Sequence, residues 1–89
     1  MSDRLQRIEQ ALATLRPQHL EIRDDSHRHR GHAGAKDGRG HFAVEVVSEA
    51  FRGLPALARH RLVYATLGEL MTTDIHALQI SAKTQEEIQ

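Results

Sequence analysis

The chain has 89 residues, 39% of them hydrophobic, and its 12 Lys and Arg residues balance 12 Asp and Glu residues. This length suits one domain with one small core, and the zero net charge excludes a strong overall attraction to a phosphate backbone at neutral pH. The sequence has no cysteine, which excludes disulfides and thiolate catalysis by this chain. No secretion signal or membrane-crossing run is present, so we expect a cytoplasmic protein without a membrane partner.

The first part of the chain predicts a helix and a strand. Leu5, Ile8 and Leu12 recur at intervals of three and four, which is typical of a one-faced helix that ends before Pro17. The segment HLEIRD then alternates apolar and polar residues, which is the pattern of a half-buried strand. A loop over about residues 25–41 follows, and we expect it to be flexible.

The second part predicts a strand, a helix and another strand within a single domain over residues 1–89. HFAVEVVS and IHALQISAK alternate as strands, and PALARHRLVYATLGELM between them is helical. In the last strand, His76 is expected on the same face as Leu78 and Ile80, and residues 84–89 form a tail that could be a frayed helical turn. The order α-β-β-α-β, with possible short extra helices, predicts an α+β fold with helices packed on one face of a three-stranded mixed sheet.

No pattern in the sequence is typical of an active site. Neither GxxxxGK nor GxGxxG is present, and no Ser or Thr has a base at a spacing that implies a catalytic pair. Asp24 and Asp25 are adjacent and would point to different sides of an extended chain. We therefore predict a protein that is not an enzyme.

Histidines are concentrated in the segment DSHRHRGHAGAKDGRGHF, which holds four of the seven histidines and four of the six glycines. Imidazole is a common metal ligand, and glycines let the backbone bring rings together, so His27, His29 and His32 could bind a metal ion. Their spacing is not that of a zinc finger, and the alternative is a polar loop with incidental histidines. His76, at the opening of the last strand, is either a ligand or an edge residue with a satisfied ring.

Basic residues cluster in the predicted second helix. Arg59, His60 and Arg61 are about 100° apart around a helix, so some of them must be displayed. Their functional interpretation is contact with phosphate or an acidic protein, and the alternative is a solvated helix face. Between Arg23 and Arg61, eight Lys and Arg residues stand against five Asp and Glu residues, a local excess of three.

Four motifs together resemble the BolA family: a strand ending in VVS, a Phe-x-Gly turn at Phe51 and Gly53, the helical RHRLVY, and a later strand with His76 and Ala77. The similarity extends from the first helix to Lys83, and SHRHRGHAG resembles the loop of histidine-type members. The resemblance implies a class II KH-like α+β domain.

The resemblance also implies a monothiol glutaredoxin, with glutathione, as partner in a shared [2Fe–2S] cluster that serves iron–sulfur trafficking or iron and redox sensing. Two imidazoles can replace two cysteines on one iron, as in Rieske centres, so a chain without thiolates can contribute two ligands. By the resemblance, His76 is one ligand and a loop histidine is the second. His29 ranks first for that role, His32 second, and His41 behind both.

A second association of the family is DNA-binding regulation of morphology and stress response. By resemblance, the DNA or partner surface would comprise one residue within the Phe-x-Gly turn and three in the helix after it, namely Arg52, Arg59, His60 and Arg61. We expect the isolated chain to hold no cofactor and to be a monomer or weak homodimer.

Overall fold

The computed structural model describes residues 3–25 and 40–88, which form a three-stranded sheet with helices. The helices are α1 (Asp3–Leu12), α2 (Ala56–Leu67) and α3 (Leu70–Thr73), and the strands are β1 (His19–Asp24), β2 (Gly40–Val47) and β3 (Ile75–Lys83). Short 3₁₀ turns cover Ala13–Leu15, Glu49–Phe51 and Gln85–Ile88. The predicted α+β order with extra short helical elements is confirmed.

The sheet is mixed, as predicted, with the strand order β1-β2-β3. β1 pairs antiparallel with β2, with Ile22 opposite Val44, and β2 pairs parallel with β3, with Val44 opposite Ile80. Parallel neighbours need a long crossover between them, and α2 and α3 lie in that connection. Because β2 and β3 run in the same direction, their first residues lie at the same edge of the sheet.

The core lies between the helices and one face of the sheet. Alternate residues of β2 face this core, whereas Glu45 on the opposite face is exposed. Nine buried apolar side chains from the helices, the strands and the turn after β2 form one cluster: Ile8, Leu12, Phe42, Val44, Val46, Phe51, Val63, Leu67 and Ile75. Burial of this cluster supplies the main stabilising term of so small a domain.

The predicted second helix is interrupted near its end. α2 stops at Leu67, and Gly68 adopts φ 55° and ψ −126°, a conformation that L-residues rarely adopt. The helical segment predicted to continue through Met71 is therefore divided into α2 and α3. The physical reason is that Gly68 turns the chain, which then enters the short α3 helix before β3.

The predicted face of His76 is wrong. The pairing of β2 with β3 passes from Gly40–Ile75 directly to His41–Ala77, so His76 is skipped at a register shift. Ile75 is buried, and Leu78 packs against the core although it lies three residues later. A bulge of this kind reverses which side of the strand alternate residues face, and it leaves His76 exposed.

The structure describes the end of the predicted loop and the predicted tail. β2 begins at Gly40, one residue before the predicted strand HFAVEVVS, so His41 at the predicted boundary of loop and strand lies in the strand. At the other end, Gln85–Ile88 forms a 3₁₀ turn that is tied to the domain through Glu87. The predicted loop positions His27, His29 and His32 lie outside the described residues.

Candidate metal centre

Two histidines come together where β2 and β3 begin. The ring centroids of His41 and His76 are 5.1 Å apart, and the ring planes are inclined by 56°. His76 is exposed and His41 is half-buried. The parallel pairing of β2 with β3 explains this arrangement, because it places residues 41 and 76 at the same edge of the sheet although the helical crossover separates them in sequence.

The distance between these rings suits a shared metal ion. A metal ion lies about 2 Å from an imidazole nitrogen that binds it, and therefore about 3.2 Å from the ring centroid. At a tetrahedral angle of about 109°, two imidazoles on one metal ion have centroids about 5 Å apart. The observed 5.1 Å between the His41 and His76 ring centroids is close to this value, so the separation of the two rings is that required of a ligand pair.

The backbone around the pair is held by hydrogen bonds from both neighbouring segments. The amide of Asp25 donates to the carbonyl of His41 at 2.8 Å, and the amide of Gly40 donates to the carbonyl of Asp74 at 2.9 Å. The Asp25 carboxylate is largely buried and accepts a hydrogen bond from Nε of Arg23 at 3.0 Å. The backbone of His41 and of the residue before it is thereby fixed to the residues that follow β1 and α3.

The sequence predicts His76 at the opening of the last strand and favours His29 and His32 over His41 as the second ligand. The signal that could have raised His41 is the pairing of the two strands. If β2 and β3 are parallel and begin together, a histidine at the start of each strand lies near the other. The positions of His29 and His32 relative to His76 fall outside the described residues.

A second set of metal-ligating side chains lies on the exposed face of β1 and β2. Nε2 of His19 lies 3.9 Å from a carboxylate oxygen of Glu21 and 3.8 Å from one of Glu45. The candidate ligand atoms of all three residues are within 4.8 Å of one another, and all three side chains are exposed. Experiments that measure metal binding at His41 and His76 must therefore separate it from binding here.

Of the four residues predicted to contact DNA or a partner, Arg52 is held in an acidic network. Its Nε donates to Oε1 of Glu49 at 2.6 Å, and its Nη1 donates to Oε1 of Glu86 at 2.8 Å. The hydrogen bond to Glu49, followed by that to Glu86, raises the pKa of the Arg52 guanidinium. Its charge is thus offset within the chain.

Arg59 is held still more firmly. Its Nε donates to the carbonyl of Leu54 at 2.8 Å and its Nη1 to the carbonyl of Ala82 at 3.0 Å. Nη1 and Nη2 also donate to the two carboxylate oxygens of Glu87, at 2.6 and 2.8 Å, and only 13% of the side chain is exposed. Arg59 therefore joins the start of α2 to β3 and the turn that follows it.

The contact with Arg59 also changes the pKa of its acidic partner, Glu87. The hydrogen bonds from the Arg59 side chain, and then the one from the Thr84 backbone, lower the pKa of Glu87 from its ordinary value of 4.5 to about 2. The same hydrogen bond with Glu87 raises the pKa of Arg59. Of the remaining predicted surface residues, Arg61 is exposed and His60 is half-buried, so Arg61 presents its charge most openly among the four.

No helix among residues 3–25 and 40–88 has the length and apolar character needed to cross a membrane.

Comparison with known proteins places the chain in a family. The family profile described as BolA-like protein matches residues 11–87, which is nearly the whole chain. The chain belongs to the BolA-like family. Its closing strand and its Phe-x-Gly turn, which carried the resemblance in the sequence, lie within the matched range.

Relatives and solved structures agree with this membership. The chain is 47% identical over 76 residues to the chloroplastic protein BOLA1 of Arabidopsis thaliana, covering 82% of this chain and 48% of that protein. It is 42% identical over 83 residues to the DNA-binding transcriptional regulator BolA of Escherichia coli K12, covering 92% and 76%. The BolA domain of SufE1 from Arabidopsis thaliana has a TM-score of 0.86 at 39% identity, with 98% of both chains covered.

This BolA-like chain is shorter than the BOLA1 and BolA proteins named above. It spans about half the length of the Arabidopsis BOLA1 protein, at 48%. The names of these relatives describe a transcriptional regulator and BolA-like proteins rather than enzymes. One relative is named chloroplastic, so the cytoplasmic location expected from the sequence stays a prediction.

Proposed function

We propose that this BolA-like protein is a non-enzymatic partner of a monothiol glutaredoxin and supplies histidine ligands to a shared [2Fe–2S] cluster. Its role would be iron–sulfur trafficking or iron and redox sensing. The observation that carries the proposal is the 5.1 Å separation of the His41 and His76 rings at one edge of the sheet. When bound, such a cluster supplies one-electron chemistry and visible absorption.

The ligand types available in the chain support sharing. Clusters of this kind have four ligands, usually thiolates, and two histidines can replace two cysteines on one iron. The sequence has seven histidines and no cysteine, so the chain can supply imidazoles but no thiolate. In the proposed complex, the glutaredoxin and glutathione supply the sulfur ligands, and the isolated chain carries no cluster.

Within this proposal, His76 is one ligand and a second histidine completes the pair. His41 is the candidate whose position the structure describes, and His29 and His32 are those predicted from the sequence. The role of the chain is to hold imidazoles at the edge of the sheet, where the exposed ring of His76 can be reached by a partner.

The experiment mixes the protein with a cluster-loaded monothiol glutaredoxin and records visible absorption and circular dichroism. We expect the parent protein to change both spectra, and His76→Ala to abolish or alter that change. Arg61→Gln is the matched control, because it removes an exposed charge without removing an imidazole. An unchanged spectrum for the His76→Ala complex would overturn the ligand assignment.

A DNA-binding regulator is the second candidate function. It is favoured by the 42% identity to the Escherichia coli protein named as such, over 92% of this chain. The exposed Arg61 and the local basic excess support it, whereas Arg52 and Arg59 are already paired with carboxylates. Because contacts with phosphate release counterions, binding that uses Arg61 should weaken steeply with salt and weaken further in Arg61→Gln. A flat response to salt would exclude this function.

A further inference from the structure

Asp74 joins α1 to the beginning of β3. Its carboxylate is largely buried and accepts two hydrogen bonds from Arg7 of α1 on Oδ2, from Nε at 3.1 Å and from Nη2 at 2.6 Å. Nε of Arg4, one turn earlier on the same helix, lies 4.0 Å from the other oxygen. A buried carboxylate is costly unless it is paired, so the side chain of Asp74 is fixed where Arg7 holds it.

The backbone of Asp74 joins the beginnings of both strands. Its carbonyl accepts from the amide of Gly40 at 2.9 Å, and its amide donates to the carbonyl of Leu70 at 2.9 Å. Gly40 is the residue before His41, and Asp74 lies two residues before His76. Asp74 therefore connects the backbone next to His41 with the backbone close to His76.

This connection lies where the sheet pairing is irregular. The ladder skips His76 between the pairs Gly40–Ile75 and His41–Ala77, so regular strand pairing does not by itself fix the position of His76. The Arg7 contact anchors the chain immediately before the irregularity, on the side of α1. The separation of the two rings then depends on Asp74 as well as on the sheet.

We infer that Asp74 is a positioning residue, which through Arg7 sets the distance between His41 and His76 and thereby the metal affinity of the pair. Groups that orient metal ligands commonly change metal affinity about 10- to 100-fold when they are removed. The inference rests on the proposed function in one respect, namely that His41 and His76 bind metal. It goes beyond the proposed function by giving a role to Asp74, which need not touch the metal, and to α1, which carries Arg7.

The test measures Co²⁺ binding to the full isolated chain by its visible absorption, which reports both affinity and coordination geometry. We expect Asp74→Asn to weaken binding about tenfold and to change the band shape. Glu87→Gln is the matched control, because it also removes the acidic partner of an arginine, at a different part of the domain, and it should leave Co²⁺ affinity unchanged. Thermal unfolding of each variant is measured alongside.

A double-substitution cycle separates positioning from a general loss of structure. In the His76→Ala background, Asp74→Asn should have no further effect on Co²⁺ affinity, because the ligand that it positions is gone. An equal effect in both backgrounds would overturn the inference. Since the exposed set at His19 can also bind Co²⁺, Glu45→Gln is combined with every variant to remove that contribution.

Failure of the positioning role of Asp74 can be distinguished from failure of the metal site at His41 and His76. If His76→Ala weakens Co²⁺ binding but Asp74→Asn does not, the positioning role is wrong and the metal pair stands. If His76→Ala has no effect, both the pair and the positioning role are overturned. Should Asp74→Asn fail to fold, Arg7→Gln tests the same contact from its half-exposed partner, and parent-like Co²⁺ affinity in that variant would contradict the inference.

Discussion

The imidazole of His76 on β3 lies 5.1 Å, centroid to centroid, from the imidazole of His41 on β2. This places at one edge of the sheet two residues that the helical crossover separates in sequence. It also makes His41 a candidate ligand on structural grounds, beside the two loop histidines predicted from sequence.

Single histidine variants should identify the second ligand of the proposed cluster. We expect His41→Ala to alter the visible spectrum of the glutaredoxin complex in the same sense as His76→Ala, because the proposed function places both rings on one metal ion. His60→Ala in α2 serves as the control for loss of an imidazole elsewhere. A parent-like spectrum for His41→Ala, together with a changed spectrum for His29→Ala or His32→Ala, would move the second ligand into the loop.

Acid should weaken the anchoring of the turn after β3. The pKa of Glu87 is lowered to about 2 in the folded protein from an ordinary 4.5. A group with a lowered pKa stabilises the fold fully above its unfolded value, and this stabilisation is lost as pH falls through the folded value. The parent protein should therefore lose stability between about pH 4.5 and pH 2 more steeply than Glu87→Gln.

Thermal unfolding as a function of pH measures this difference. Glu9→Gln on α1 is the control, because it keeps the Arg59–Glu87 pair and should keep the steeper fall of the parent. Equal slopes for the parent and Glu87→Gln would show that the pair does not contribute to stability.

Gly68 should resist replacement for reasons of backbone conformation alone. A Cβ atom at this position would meet only the carbonyl of Ala65, at an ordinary 3.9 Å, so there is space for a methyl group. The backbone has φ 55° and ψ −126°, however, and an L-residue there should lower the free energy of unfolding by about 1–3 kcal/mol.

Chemical denaturation of Gly68→Ala measures this loss. D-alanine placed at position 68 by chemical synthesis is the matched control, since its mirror-image preference favours positive φ and the same methyl group is added. We expect D-alanine to be tolerated. A loss as large for D-alanine as for L-alanine would indicate crowding instead of backbone conformation.

Ser48, the last residue of the VVS motif, should contribute through its hydroxyl group. It is 1% exposed, and its Oγ donates to the carbonyl of Leu15 at 2.6 Å and accepts from the amide of Ala50 at 3.1 Å. Ser48→Ala removes the cap of the following turn and leaves the Leu15 carbonyl without this donor. The expected loss in the free energy of unfolding is about 1–3 kcal/mol.

Denaturant unfolding of Ser48→Ala gives this loss, and Ser81→Ala gives the comparison for a serine whose side chain lies on the outward face of the sheet. The latter change should stay within about 0.5 kcal/mol. Equal stabilities of the two variants would mean that the bond between Ser48 and Leu15 adds nothing.

The order of helices and strands could be predicted because it follows from local periodicity. The face of His76 could not, since alternation along β3 reverses at a register shift that is set by pairing with β2. The proximity of His41 likewise follows from the parallel pairing of two strands that are distant in sequence. The periodicity of a segment indicates its own secondary structure and its buried face. The face of His76 and its distance from His41 depend instead on how β3 pairs with β2.

The contacts of the basic residues in α2 could not be predicted from local sequence either. Arg59 and Arg61 are equivalent in the RHR motif, yet Arg59 is bound to Glu87 at the other end of the chain and Arg61 is exposed. Helical spacing shows that the two side chains point in different directions. Which of them meets an acidic partner depends on the turn after β3, which the composition of the tail did not specify.

The skipped position in β3 also makes this protein a scaffold for redesign. Because the ladder passes from Gly40–Ile75 directly to His41–Ala77, a change of side chain at position 76 leaves these backbone pairs in place, and the neighbour that it has to fit across the strands is the ring of His41. A cysteine there would give the chain a thiolate of its own beside an imidazole. The sheet edge that now brings two imidazoles together would then present a mixed nitrogen and sulfur site.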